Sequence, residues 1–351
     1  MIIIASDKFK GTYSANSISN IIGERVRRQY PDSPISILPM ADGGEGTAEI
    51  FAKFKNLSQE RLKGINPYGT PILWEIYRKG EVAAIDSASA VGLSAAQGLV
   101  YPMNASSFPL GLLIKQLAEE GVRQLYVGVG GTMTTDCGAG CLQALGWRFL
   151  NQNDREIRER LTPNLLSEIR VAIPPEITPT QNIKITALID VDVPLLPTAN
   201  RSDGLSALSF APQKGVTPSE IKQLHQSFQQ FENIITNTVV NRNIPTSFCG
   251  AGGGLGFALQ IIGANASHGA EIIWKEALAQ YNIVPNMISH IYTGEGCFDM
   301  QSFQGKVTGQ FIKYGVNNSI PVTIICGRCE VPSTIVPSQT KIILLKDFIT
   351  K

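Results

Sequence analysis

The sequence predicts an α/β protein: a Rossmann-like parallel-sheet domain, a second α/β domain inserted into it, and a cleft between them. Three observations carry that expectation. Apolar strand runs alternate with amphipathic helices at the start of the chain, the tail returns to the same texture, and a different texture opening on a hairpin lies between. At 351 residues the chain is also longer than one compact core of common size. The expected division is 1–65 with 260–351 as a discontinuous Rossmann-like domain, and 66–259 as the insertion.

Ile2 to Ala5 is a short apolar run of the kind a strand buried on both faces shows. Ser14 is the expected N-cap of a helix with Ile18, Ile21, Ile22 and Val26 on one side, running until Pro31. Ile35 to Met40 is the second strand, and Ile50, Phe51 and Phe54 mark the inner face of the second helix. Ile72 to Tyr77 and Val82 to Ile85, around Lys79-Gly80, predict an antiparallel hairpin. A helix with Leu110, Leu113 and Leu117 then leads to a strand over Gln124 to Val129. Thr186 to Ile189 and Leu205 to Phe210 are expected strands, whereas 150–182 is polar and loop-rich. Toward the end come strands at Ile288 to Tyr292, Val322 to Ile325 and Ile342 to Leu345. Val307, Phe311 and Tyr314 are spaced as one helix face.

With 30 Lys+Arg against 29 Asp+Glu, no global field draws the chain to nucleic acid or a membrane surface; a bound anion must be held by local geometry. The apolar start stops at Asp7 and Lys8, too short for a signal-peptide core, so a cytoplasmic protein with free thiols is expected. Cys326 and Cys329 form a CxxC pair with no second CxxC; the expectation is two partly buried thiols near a strand end.

Glycines concentrate at strand-to-helix junctions: Gly43, Gly44 and Gly46; Gly128, Gly130 and Gly131, then Gly138 and Gly140; Gly250, Gly252, Gly253, Gly254 and Gly256; and Gly294 and Gly296 after another strand. Such turns let backbone N–H groups converge on phosphate oxygens. Neither GxxxxGK[ST] nor a strict GxGxxG occurs, which leaves a nicotinamide site with little direct support. No Ser-His-Asp pattern or HExxH is legible. Acids flank the glycines: Asp42 and Glu45, Asp136, Asp190 and Asp192, Glu295 and Asp299. Carboxylates beside phosphate loops hold Mg²⁺ or orient a nucleophile. Lys10, Lys214 and Lys306 stand at turns beside strands and can balance phosphoryl charge.

The strings SDKFKG (6–11), ADGGEGT (41–47), GVGGTMTTDCGAG (128–140), DVDVPL (190–195), FAPQKG (210–215), GAGGGLG (250–256) and TGEG with Asp299, Gln301 and Gly305-Lys306 resemble the bacterial glycerate kinase I family in identity and order. The resemblance covers roughly residues 1–327. It implies a Rossmann-like domain with an inserted α/β domain, and phosphorylation of glycerate with ATP and Mg²⁺. Departures are also present. Val193 stands where the family has Asn, Cys297 where it has Arg, and Phe108 and Leu110 where it has Tyr and Thr. Typical members also continue with more helix beyond the last strand.

The expected chemistry is in-line γ-phosphoryl transfer to a hydroxyl. Asp190 accepts or orients the hydroxyl proton, and Lys10 and Lys214 neutralise charge. Asp42, Glu45 and Glu295 are the metal candidates; Gly43, Gly44, Gly130, Gly131, Gly252, Gly253, Gly254 and Lys306 are the nucleotide candidates. The alternative is a weakened family member that binds a sugar acid or nucleotide without turnover. Oligomeric state is not legible.

Overall fold

The computed structural model describes residues 1–350 except 97, 99, 200, 202 and 240–242. Along the chain come β1 (Ile2–Ile4), α1 (Ala15–Gln29), β2 (Ile35–Ile37), α2 (Thr47–Lys55), β3 (Ser58–Ile65), β4 (Pro71–Lys79), β5 (Val82–Asp86) and α3 (Ser87–Val91). They are followed by α4 (Phe108–Glu119), β6 (Gln124–Gly128), α5 (Ala139–Ala144), β7 (Arg148–Leu150), β8 (Val171–Ile173), β9 (Lys184–Ile189), α6 (Pro218–Thr238) and α7 (Ala251–Ile261). The tail holds β10 (Asn265–His268), α8 (Gly269–Gln280), β11 (His290–Phe298), α9 (Val307–Asn318), β12 (Val322–Cys329), β13 (Thr340–Leu344) and α10 (Leu345–Thr350). The chain divides into two compact units, residues 1–55 with 268–351, and residues 56–267.

The first unit holds a five-stranded sheet in the order β13-β12-β11-β1-β2, parallel throughout. Ser14 caps α1 by accepting from Ser17 N, and the helix buries Ile18, Ile22 and Val26 against Ile2, Ile4, Tyr292 and Ile325. Each such aliphatic side chain contributes about 1.5–3 kcal/mol when fully buried. From β1 the chain turns toward β2 on one side, and from β11 toward β12 on the other. The gap between β1 and β11 is thus a topological switch point, where loops at the carboxyl ends diverge and leave a crevice.

The second unit holds a six-stranded sheet, β10-β9-β6-β5-β4-β3. Strands β5, β6 and β9 are parallel, and the β3-β4-β5 meander is antiparallel. Its core runs from Ile76, Ile85, Leu125 and Val127 in the sheet to Leu113, Leu117, Phe231 and Phe257 in the helices.

Three local expectations need correction. Leu205 to Phe210 is not a strand: Ala207–Phe210 is a 3₁₀ turn, closed by a reciprocal Ser206–Ser209 capping box just before Pro212. Gly294 and Gly296 do not follow a strand but lie inside one, because β11 keeps pairing with β12 as far as Phe298. In addition, 150–182 is not merely loop; it contains the β7-β8 pair and a 3₁₀ turn over Pro163–Glu168.

Candidate active site

In the first unit, three carboxylates stand at the carboxyl ends of neighbouring strands. Asp7 follows β1, Asp42 follows β2, and Glu295 lies in β11; all are buried. Burial is the main cause that holds the Asp7 carboxyl well above the usual range; Asp42 and Glu295 push it further the same way, and the Lys8 N–H and ammonium offset part. Asp42 accepts from Gly44 N at 3.1 Å, and Gly43 N donates to Thr47 Oγ1 at 3.1 Å, which fixes the 41–47 turn. The start of α8 backs this turn so closely that a Cβ on Gly269 would stand 2.6 Å from Asp42 O and Gly43 N.

Glu295 accepts from the Thr308 hydroxyl, and Lys306 Nζ lies 3.8 Å from its Oε2 and 3.7 Å from Asp299 Oδ1. Burial still raises the Glu295 acid, with Thr308, Ser302 and Lys306 offsetting part. Glu45 is exposed, and its backbone carbonyl, not its carboxylate, accepts from Lys8 Nζ. Lys10 is exposed on the turn after β1, so Lys8 is the ammonium that acts on Asp7. Asp7 and Lys8 were therefore missed by sequence reasoning, although the SDKFKG string contained both.

Among the described residues no group of three or more His, Cys, Asp or Glu side chains has the geometry to hold a metal ion. Mg²⁺ needs less, since it keeps several waters and takes one or two carboxylates beside phosphate oxygens. A buried acid pressed by further carboxylates is the kind of group a divalent cation relieves, so Asp7 with either Asp42 or Glu295 meets that lesser demand.

The second unit solves a different problem. Gly252, Gly253 and Gly254 have φ of +64°, +73° and +93°, three successive left-handed residues before the regular part of α7. A Cβ on Gly253 would collide with Thr134 O and stand 2.9 Å from Thr135 Cα and 3.0 Å from Lys214 Nζ. Cys137 N donates to Gly253 O at 3.1 Å. The 128–140 string, the 250–256 turn and Lys214 thus meet at one place.

Lys214 is buried, 6% exposed, with its ammonium donating to Thr134 O at 2.7 Å and Thr132 Oγ1 at 3.2 Å. Two of its three protons are used among the described residues. Burial pulls its pKa down to about 8, and Asp136 offsets part of that. Asp136 is itself buried, accepting from Ser107 N and Oγ at 2.7 Å each, Gly138 N at 3.1 Å and Gly140 N at 3.3 Å.

Asp190 is half-buried at the carboxyl end of β9, and Gly130 and Gly131 follow β6, the neighbouring parallel strand. Lys10, Asp42, Gly43, Gly44, Glu45, Glu295 and Lys306 therefore belong to the first unit; Gly130, Gly131, Asp190, Lys214 and Gly252 to Gly254 belong to the second.

The family model of the glycerate kinase family matches residues 2–342. The chain belongs to the glycerate kinase family. It is 31% identical over 314 residues to the glycerate 2-kinase of Escherichia coli K12, covering 87% of this chain and 79% of that one. Against the glycerate kinase of Halalkalibacterium halodurans it is 30% identical over 331 residues, 93% of this chain and 85% of the relative. A crystal structure from Salmonella typhimurium LT2 that carries the glycerate kinase 2 name superposes with a TM-score of 0.78 at 26% identity, over 99% of this chain and 93% of that one. As a glycerate kinase family member the chain is a phosphotransferase acting on a small molecule. Among the described residues no helix is long and apolar enough to cross a membrane.

The departures from the family pattern fall in different settings. Val193 is fully buried, and its backbone carbonyl accepts from Gly250 N at 2.8 Å. Cys297 is the register partner of Arg328 on β12, whose Nη2 lies 3.7 Å from the Cys297 sulfur, so a guanidinium reaches this position from the next strand.

Proposed function

We propose that this chain transfers the γ-phosphoryl group of ATP, with Mg²⁺, to a hydroxyl of D-glycerate, giving phosphoglycerate and ADP. The observation that carries the reading is Lys214: a buried ammonium with a donor unspent among the described residues, lodged against a turn of three left-handed glycines, in a chain matched along its length by the kinase family. Burying an unpaired ammonium costs stability, and a fold accepts that cost where an anion is to be held.

Lys214 neutralises an anionic group, a phosphoryl oxygen or the glycerate carboxylate. Asp190 accepts or orients the proton of the attacking hydroxyl. Asp7 joins Asp42 and Glu295 as the carboxylates that would hold Mg²⁺, with Glu45 at the edge of their loop. Bound there, the ion would supply charge neutralisation for the phosphates. Lys306, tethered by Glu295 and Asp299, and exposed Lys10 add cationic charge near those carboxylates. Gly43, Gly44, Gly130, Gly131 and Gly252 to Gly254 keep backbone close to phosphate oxygens. The name of the Escherichia coli relative favours the 2-hydroxyl as acceptor. Six free thiols suit a cytoplasmic enzyme.

The test is ADP release with MgATP and D-glycerate, with the product assigned by phosphorus NMR. Equimolar ADP and 2-phosphoglycerate are expected. Ligand-stabilised melting without turnover would instead make the chain a binder.

A further inference from the structure

We infer that the hydroxyls of Thr134 and Thr135, with that of Thr132 and the remaining proton of Lys214, form a pocket in the second unit that binds a phosphoryl group. The pocket stands on its donors alone. That its occupant is a phosphate of the nucleotide or of the phosphorylated product rests on the function proposed above.

Lys214 Nζ donates to the Thr134 carbonyl and to Thr132 Oγ1. Thr132 therefore receives through its oxygen and keeps its own O–H, for which the described residues offer no acceptor. Thr134 and Thr135 are fully buried, and neither hydroxyl has a partner among the described residues. Burying a polar group without a hydrogen bond costs free energy, so adjacent orphaned hydroxyls call for a reason. Asp136, next in the chain, does not supply one. Its oxygens are taken by Ser107 N and Oγ, Gly138 N and Gly140 N.

The ammonium sets this stretch apart from other buried hydroxyls. Thr180 Oγ1 also lacks a partner, but Thr180 precedes β9, at the amino end of that strand. Residues 132–135 follow β6, which runs parallel to β9, and so lie at the opposite end of the sheet. There a single point, the place of a Cβ on Gly253, is 2.2 Å from Thr134 O, 2.9 Å from Thr135 Cα and 3.0 Å from Lys214 Nζ. The two threonines, the ammonium and the left-handed glycine turn meet because Gly253 has no side chain.

A surplus of donors around a positive charge selects an occupant that only accepts. A neutral polyol would bring further donors of its own, whereas an anion brings none. Between anions the number of donors decides. One ammonium proton and three hydroxyls, from four residues, suit the three terminal oxygens of a tetrahedral phosphoryl group better than the two coplanar oxygens of a carboxylate.

Calorimetric titration of the full chain with pyrophosphate alone, 2-phosphoglycerate alone and D-glycerate alone tests the pocket, repeated on Thr134→Val, Thr135→Val, Thr135→Ser and Thr180→Val. In both Val variants at positions 134 and 135, affinity for at least one phosphate probe should fall about tenfold or more. Their melts should hold or rise, since an apolar group of like shape replaces an unpaired hydroxyl. Affinity for D-glycerate should stay within about twofold. A loss confined to pyrophosphate assigns the pocket to the nucleotide, and one confined to 2-phosphoglycerate to the product. Thr135→Ser and Thr180→Val should bind as the unaltered chain does. The inference is overturned if the unaltered chain binds neither phosphate probe, or if either Val variant at 134 or 135 binds them unchanged. A D-glycerate loss as large as the phosphate loss, a melt that drops in step with affinity, or an equal loss in Thr135→Ser overturns it too. The expected pattern in a chain that never phosphorylates glycerate supports the pocket while sinking the proposed function.

Discussion

The two units place their chemistry at the same address, the carboxyl ends of parallel strands, yet charge it oppositely. In the first, Asp7, Asp42 and Glu295 crowd together, and burial and mutual repulsion drive the Asp7 acid upward. In the second, the Lys214 ammonium is desolvated beside glycines, held by a carbonyl and a hydroxyl, with Asp136 offsetting only part of the cost. On the function proposed above, each arrangement is relieved by a ligand of opposite charge, a cation in one and an anion in the other. Stability and activity should therefore part company at both places.

The largest effect is expected at Asp190. Asp190→Asn should lower turnover by two or more orders of magnitude with an unchanged circular-dichroism melt. Turnover within about threefold of the unaltered chain removes Asp190 from the chemistry.

Lys214→Met should come next. It removes the buried charge, so activity should fall at least about tenfold while the melting temperature holds or rises. A melt that collapses with activity would make the residue structural. Its titration adds a signature. The folded pKa is near 8 and the ordinary value is 10.5, so between them the unfolded chain binds more protons. The Lys214 contribution to stability should therefore improve as pH rises from about 8 to 10.5. Anion affinity should weaken over the same rise, because the ammonium is lost; Lys214→Met should flatten both profiles.

Glycine substitutions sharpen the contrast on the backbone. Gly253→Ala meets Thr134 O and Thr135 Cα at φ +73° and should cost more than about 2 kcal/mol in chemical denaturation. Gly46→Ala, at φ +91° with nothing within 4 Å, should cost only about 1 kcal/mol. Equal costs would mean that the 250–256 turn has room to relax.

The smallest effect is expected at Asp7. Its acid is raised in the folded chain, so the stability it contributes is present below pH 3.8 and is lost as pH climbs through the raised value. Asp7→Asn should flatten that loss without Mg²⁺ and remove part of the stabilisation that Mg²⁺ gives, both read from melts across pH.

Much of the frame was legible. Ile2 to Ala5, the Ser14 cap and the β4-β5 hairpin follow from local chemistry that tertiary packing does not override. What escaped depended on neighbours. Strand β3, rich in charged residues, carries no apolar run to mark it and is not among the expected strands; it is a strand because it borders β4 along the sheet edge. Gly294 and Gly296 look like a turn, but β11 can take them because β12 lies close enough for a Gly294 Cβ to strike Ile325 O. Leu205 to Phe210 is apolar enough for a strand, yet two serines closing on each other win locally. Of the site, the glycine strings and their acids were legible. The burial of Lys214 was not, because a lysine at a turn is ordinarily a solvent residue. Asp7 was hidden in the same way, as its meaning comes from Asp42 and Glu295, far away in sequence.

The division of charge is tested most directly by melting the unaltered chain, Asp42→Asn and Lys214→Met with Mg²⁺ alone and with pyrophosphate alone. Asp42→Asn should lose the Mg²⁺ shift and keep the pyrophosphate shift, and Lys214→Met should do the reverse. Both variants losing both shifts, or neither losing either, would contradict that division.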